Sequence, residues 1–169
     1  MSQPMSISRF LAALIIVTGL VVSLLLDPVS AQNRTLPYWA SLRFDKVNMR
    51  VGPSQDYRID WIYKRKGLPV KVVRMREGWR LVQDPEGTQG WIAASQLTPS
   101  RGVLVIGKGL AVLRSQPEPQ AKVLWRAQPG VVAQLRECRA EWCNIDAAGR
   151  RGWVARARLW GADPLSGED

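Results

Sequence analysis

The sequence predicts an all-β protein made of two tandem, very small barrels behind an N-terminal export signal. Three observations carry that prediction. First, the stretch from Trp79 through Gly90-Trp91-Ile92-Ala93 to Leu97 is repeated, in looser spelling, from Trp142 through Gly152-Trp153-Val154-Ala155 to Leu159. Second, short β-prone runs are punctuated by turn residues roughly every eight to twelve positions, the spacing of small sandwiches and barrels. Third, no segment after the leader carries the 3.6-residue periodicity of an amphipathic helix. The repeat can be walked back to Met49-Arg50 with Pro53, which matches Leu113-Arg114 with Pro117. A period in the low sixties exceeds that of solenoid units, so each copy is expected to be a domain in its own right.

The leader comes first in the chain. Arg9 precedes a mostly apolar run over residues 10–26, Asp27-Pro28 ends it, and Val29-Ser30-Ala31 supplies small residues before Gln32. This is the pattern of a secretory signal over residues 1–31, cleaved after Ala31, which places the mature protein in the periplasm or outside the cell. The alternative is an uncleaved anchor, since the run lies near the lower limit of about 17 residues for a spanning helix. No other segment is apolar enough to span a bilayer, so the mature chain is expected to contain no transmembrane segment.

Residues 32–40 read as a linker and the start of the fold. The first barrel is expected over residues 41–99. Val47-Asn48-Met49-Arg50-Val51 alternates as a strand and stops at Gly52-Pro53-Ser54. Trp61-Ile62-Tyr63 is a short β-prone run closed by Lys64-Arg65-Lys66-Gly67, and a Val-rich strand follows over residues 68–74. Glu77-Gly78 makes the next turn. Residues 79–82 then pair with residues 90–93 across Asp84-Pro85-Glu86-Gly87, because proline presets φ early in a turn and glycine accepts positive φ later. The second barrel is expected over residues 103–160, with an acidic tail over 161–169. Each copy thus reads as about five short strands. A unit of this size buries little surface, so Trp79, Trp91, Trp142 and Trp153, at matching repeat positions, are expected to pack the cores.

Cys138 and Cys143 are the two cysteines of the chain. They flank a short turn between candidate strands, within reach of each other if the hairpin forms, and an exported chain meets an oxidising compartment; a disulfide is expected. The Cys-x-x-Cys spacing of redox sites is absent, and without histidine the chain has too few ligands for zinc. No metal and no cofactor are expected.

These residues carry a resemblance. Val47-Asn48-Met49-Arg50-Val51-Gly52-Pro53-Ser54, the Gly67-Leu68-Pro69-Val70 step, Gly78-Trp79 and Gly90-Trp91-Ile92 resemble the pattern of bacterial SH3 (SH3b-like) domains. Residues 60–70, the Cys-x4-Cys hairpin and Leu159-Trp160-Gly161 resemble more narrowly an exported tandem-SH3 family of alphaproteobacteria. The resemblance spans about residues 38–164 and implies two tandem SH3-like β-barrels used for recognition. The second copy departs from the pattern: Ser115-Gln116 stand where the first has Val51-Gly52.

The formal net charge is +10, with 24 basic and 14 acidic side chains. Residues 41–100 carry 11 basic against 6 acidic residues and residues 101–160 carry 11 against 4, so both copies share it. Such a field attracts polyanions and anionic surfaces, which outside the cytoplasm means envelope polymers, lipid head groups and acidic proteins rather than nucleic acid. Charge that merely keeps the protein soluble is the bland reading. Catalysis is disfavoured on inventory. Without histidine, acid–base work falls to carboxylates or lysine, and Asp84 with Glu86 in a tight turn read as turn formers. Binding is favoured instead. SH3-type barrels offer a shallow groove, and Tyr57, Arg58, Trp61 and Tyr63 lie on or just after the first loop, with Trp79 as a further wall; packing is the competing role for Trp61, Tyr63 and Trp79. Lys64-Arg65-Lys66 is a basic patch that is either a solvated loop or a contact for an anionic polymer. Arg50 and Arg114, at equivalent positions, are expected to bond the loops that follow them.

The functional expectation is a non-catalytic, exported binding module that recognises peptidoglycan stem peptides or docks on a cell-wall enzyme. The alternative is a periplasmic adaptor or structural protein that binds another protein through an SH3-like groove. Charge alone would also suit an anionic-lipid or lipopolysaccharide binder.

Overall fold

The computed structural model describes residues 35–165; the leader and the last four residues of the tail lie outside them. Two seven-stranded antiparallel sheets contain all the strands of this span. The first comprises β1 (Tyr38–Leu42), β2 (Val47–Arg50), β3 (Ile59–Tyr63), β4 (Pro69–Arg76), β5 (Trp79–Gln83), β6 (Gln89–Ala93) and β7 (Leu97–Thr98), in the spatial order β3-β2-β6-β5-β4-β1-β7. The second comprises β8 (Gly102–Val105), β9 (Ala111–Arg114), β10 (Val123–Ala127), β11 (Val132–Arg139), β12 (Trp142–Ala147), β13 (Arg150–Ala155) and β14 (Leu159–Trp160). Its order, β10-β9-β13-β12-β11-β8-β14, repeats the first strand for strand.

The sequence reading undercounted the strands. It found five per copy, whereas each sheet gains a strand at its start and a two-residue strand at its end. The closing pair, β7 and β14, follows a single 3-10 turn, Ala94–Gln96 or Arg156–Arg158, and a two-residue strand shows no alternation to read.

Period-two alternation explains the cores and corrects a second expectation. In β6 the inward positions are Gly90 and Ile92, so Trp91 between them faces outward, opposite Leu81 and Arg50. Trp79 pairs with Ala93 on that same outer face. The first core is therefore mainly aliphatic, built on Leu42, Val47, Met49, Val70, Val72, Val82, Ile92 and Leu97, and Tyr63 is the aromatic among its buried members. Val103, Val105, Leu113, Ile145, Val154 and Leu159 do the same work in the second barrel. Of the four repeat tryptophans only Trp153 is buried, and it lies under the Arg139 guanidinium, 5.1 Å from the ring centroid. Gly90 is fixed by packing, since a Cβ there would come within 2.4 Å of the Met49 side chain.

The disulfide is present. Cys138 and Cys143 face each other across the β11–β12 hairpin, with Cα atoms 4.0 Å apart. Cys143 is fully buried, and Cys138 packs against the second core.

The two barrels form one compact unit. Trp39 of β1 and Trp160 of β14 meet edge to face with centroids 4.6 Å apart, and the Trp39 indole N–H donates to the Asp163 carbonyl at 2.8 Å. The Gly102 amide donates to Ser41 Oγ at 2.8 Å, and Arg65 Nη1 donates to the Gly130 carbonyl. The seam is tight at Gly102, where a Cβ would lie 2.1 Å from the Gly67 carbonyl oxygen. Trp125 takes no part, its indole donating within its own barrel to the Arg151 carbonyl.

Candidate functional site

The first barrel carries an apolar ridge at one edge of its sheet. β3 is an edge strand, and Ile59, Trp61 and Ile62 on it are exposed, Trp61 to 60%. Trp61 lies opposite Met49, yet Met49 is fully buried in the core while Trp61 is exposed. The equivalent Trp125 is tied by its hydrogen bond to Arg151, whereas Trp61 makes none among the described residues. Tyr57, 48% exposed, lies against Gly52; a Cβ on Gly52 would come within 2.6 Å of the ring. In the second copy this pair becomes Gln116 and Ala121, so the aromatic platform belongs to the first barrel alone.

Beside the platform is a polar cleft of about 280 Å³ lined by Asn48, Arg50, Gln55, Trp79, Ala93, Ser95 and Gln96. β2 and β5 present Asn48, Arg50 and Trp79 on the outer face of the sheet. Arg50 joins cleft to platform, because its guanidinium donates to the Tyr57 carbonyl. Arg114 does the same for Ala121 at 2.8 Å, as the repeat implied. Asn48 lines the cleft, and its Oδ1 is buried without a hydrogen bond among the described residues.

The remaining expected site residues separate. Tyr63 leaves the groove: it is 7% exposed, faces Val47 inside the barrel, and its hydroxyl donates to Asp84 Oδ2 at 2.9 Å. Burial first, and then the Asp84 hydrogen bond and charge, push its phenol well above the ordinary range. Asp84 is held in turn by the amides of Glu86 and Thr88 on Oδ1, which is turn chemistry. Arg58 is exposed and paired with Asp60 at 2.9 Å, an ion pair of small energetic weight. Of the basic run, Lys64 is exposed, Arg65 bridges to the second barrel, and Lys66 lines a cavity between the barrels.

Asn48, Gln55, Ser95 and Gln96 escaped the sequence reading. The signal was available in the repeat, because the second copy has Val112, Pro119, Ala157 and Arg158 at these places, so the polar lining is peculiar to the first.

Two curled antiparallel sheets of the same strand order, one of them presenting aromatics beside a cleft, define a tandem pair of small β-barrel domains. The chain belongs to the bacterial SH3 domain family, whose model matches it twice, at residues 44–99 and 107–161. No curated protein matches the chain. Among solved structures, NlpC1 from Trichomonas vaginalis is similar at 14% identity, covering 77% of this chain and 47% of that one, with a TM-score of 0.33. NlpC2 from the same organism is similar at 13% identity, covering 76% and 49%, with a TM-score of 0.34. The chain therefore spans about half the length of these two proteins. Likenesses this distant carry no functional argument. Among the described residues no helix is long and apolar enough to cross a membrane.

Proposed function

We propose that this chain is an exported, non-catalytic binding protein of the cell envelope whose first barrel recognises peptidoglycan stem peptides or docks on a cell-wall enzyme. The observation that carries the reading is the cleft of the first barrel, where the half-buried Trp79 and the polar Asn48, Gln55, Ser95 and Gln96 lie next to the exposed Tyr57. The polar lining suits the N–H and C=O groups of a peptide, and its apolar side chains cover the aromatics. The excess of basic residues suits the carboxylates of D-glutamate and diaminopimelate in such stems. Export is part of the proposal and rests on the leader pattern of residues 1–31.

The test is co-sedimentation of the purified protein with isolated sacculi over a salt series, alongside a Tyr57→Ala, Trp61→Ala variant of verified fold. Saturable binding that the variant loses is the expected result. Absence of binding at every ionic strength overturns the wall reading.

A second reading, a periplasmic adaptor, is favoured by the β3 edge. An edge strand with exposed Ile59, Trp61 and Ile62 offers both backbone pairing and apolar pockets to a protein segment. Binding of that kind changes little with salt, whereas polyanion contact weakens steeply.

A further inference from the structure

We propose that the seam between the barrels is a second binding site, one that takes a compact anion, a carboxylate or a phosphate, carried on a small apolar group. The seam carries an open groove of about 650 Å³, more than twice the first-barrel cleft and within the roughly 300–1,000 Å³ of small-molecule sites. Two cations on separate segments face it, Arg43 after β1 and Lys66 before β4; Arg101 before β8 also lines the cavity but is engaged, its Nη2 donating to the Gly161 carbonyl at 3.1 Å. Lys66 has no ion-pair partner among the described residues, and Arg43 spends only its Nε, on the Leu97 carbonyl at 3.1 Å.

One carboxylate, Asp146, lines the same cavity and is already engaged. Its Oδ2 accepts from Arg151 Nε at 2.8 Å and its Oδ1 from the Gly149 amide at 2.8 Å. Asp146 therefore does not neutralise Arg43 and Lys66, and a concave wall concentrates their field. Val132, Ala133 and Ala148 add apolar surface to the lining, and Thr98 and Ser100 add hydroxyls. Arg guanidinium groups grip carboxylate and phosphate alike, so the geometry defines the anion and not its source.

The site shares no lining residue with the first-barrel cleft, so the two proposals fail separately. The test is titration of the full chain with glutarate and, in a separate series, with inorganic phosphate, followed by amide NMR shifts. Saturable shifts confined to residues around Lys66, Ser100, Gly102 and Gln134, under either probe, are the expected result, and the probe that saturates at lower concentration identifies the chemistry. Lys66→Glu, a change at an exposed side chain that leaves the fold intact, is expected to weaken binding about tenfold, and Arg43→Gln to add to it. The Tyr57→Ala, Trp61→Ala variant is expected to bind the probe as the parent does. Shifts that spread over the whole basic surface without saturating, or binding unchanged in both Lys66→Glu and Arg43→Gln, overturn the proposal.

Discussion

Tyr63 and Asp84 couple the edge strand to the β5–β6 turn through one buried hydrogen bond, and its loss has a defined cost. Tyr63→Phe leaves Asp84 Oδ2 without its donor and is expected to destabilise the protein by about 1–2 kcal/mol in denaturant titrations. The same bond sets an alkaline limit. Because the phenol is raised in the folded state, its contribution is complete below the unfolded value of about 10 and falls away as pH rises above it. Stability is therefore expected to decline above about pH 10, with Tyr63→Phe removing that part of the decline. Ala140, at the first turn position of the β11–β12 hairpin, has φ 47°, in the left-handed region where a Cβ is strained. Ala140→Gly is expected to gain about 0.5–1 kcal/mol, measured with the disulfide intact.

At the scale of elements, the β11–β12 hairpin has a staple that its counterpart β4–β5 lacks. Replacing Cys138 and Cys143 by serine is expected to cost about 2 kcal/mol, the value for so short a closed loop, and an unchanged melting temperature would contradict it. Much of this level was legible in the sequence. The β5–β6 hairpin, the disulfide and the loop-bonding role of Arg50 follow from turn residues, spacing and the repeat. The terminal strands of each sheet were not, because Leu97–Thr98 and Leu159–Trp160 are too short for a pattern and exist through pairing with β1 and β8. Nor was the place of the tryptophans: the bulk of Trp79 and Trp91 suggested a core, but alternation with Gly90 and Ile92 decides the face. Of the expected site residues, Tyr57 and Trp61 stand exposed where the loop suggested, whereas Tyr63 is drawn inward by a partner 21 residues away in sequence.

The whole molecule is governed by its seam, which no local pattern encodes because its partners are far apart in the chain. Gly102 allows the barrels to touch, and a side chain there would drive Ser41 and the Gly67 backbone away. Calorimetry on the parent is expected to show one transition for both barrels. Gly102→Val is expected to split it into two at lower temperatures, with each barrel retaining its β-sheet circular dichroism.

The Trp39 to Asp163 hydrogen bond joins residues 124 positions apart, close to the two ends of the folded part. A contact of that span forms only after nearly all the chain is available, so it is made late. Until it forms, the first barrel keeps the Trp39 face uncovered, so the vulnerable moment for aggregation or proteolysis is a time interval, set by how long the second barrel takes to arrive.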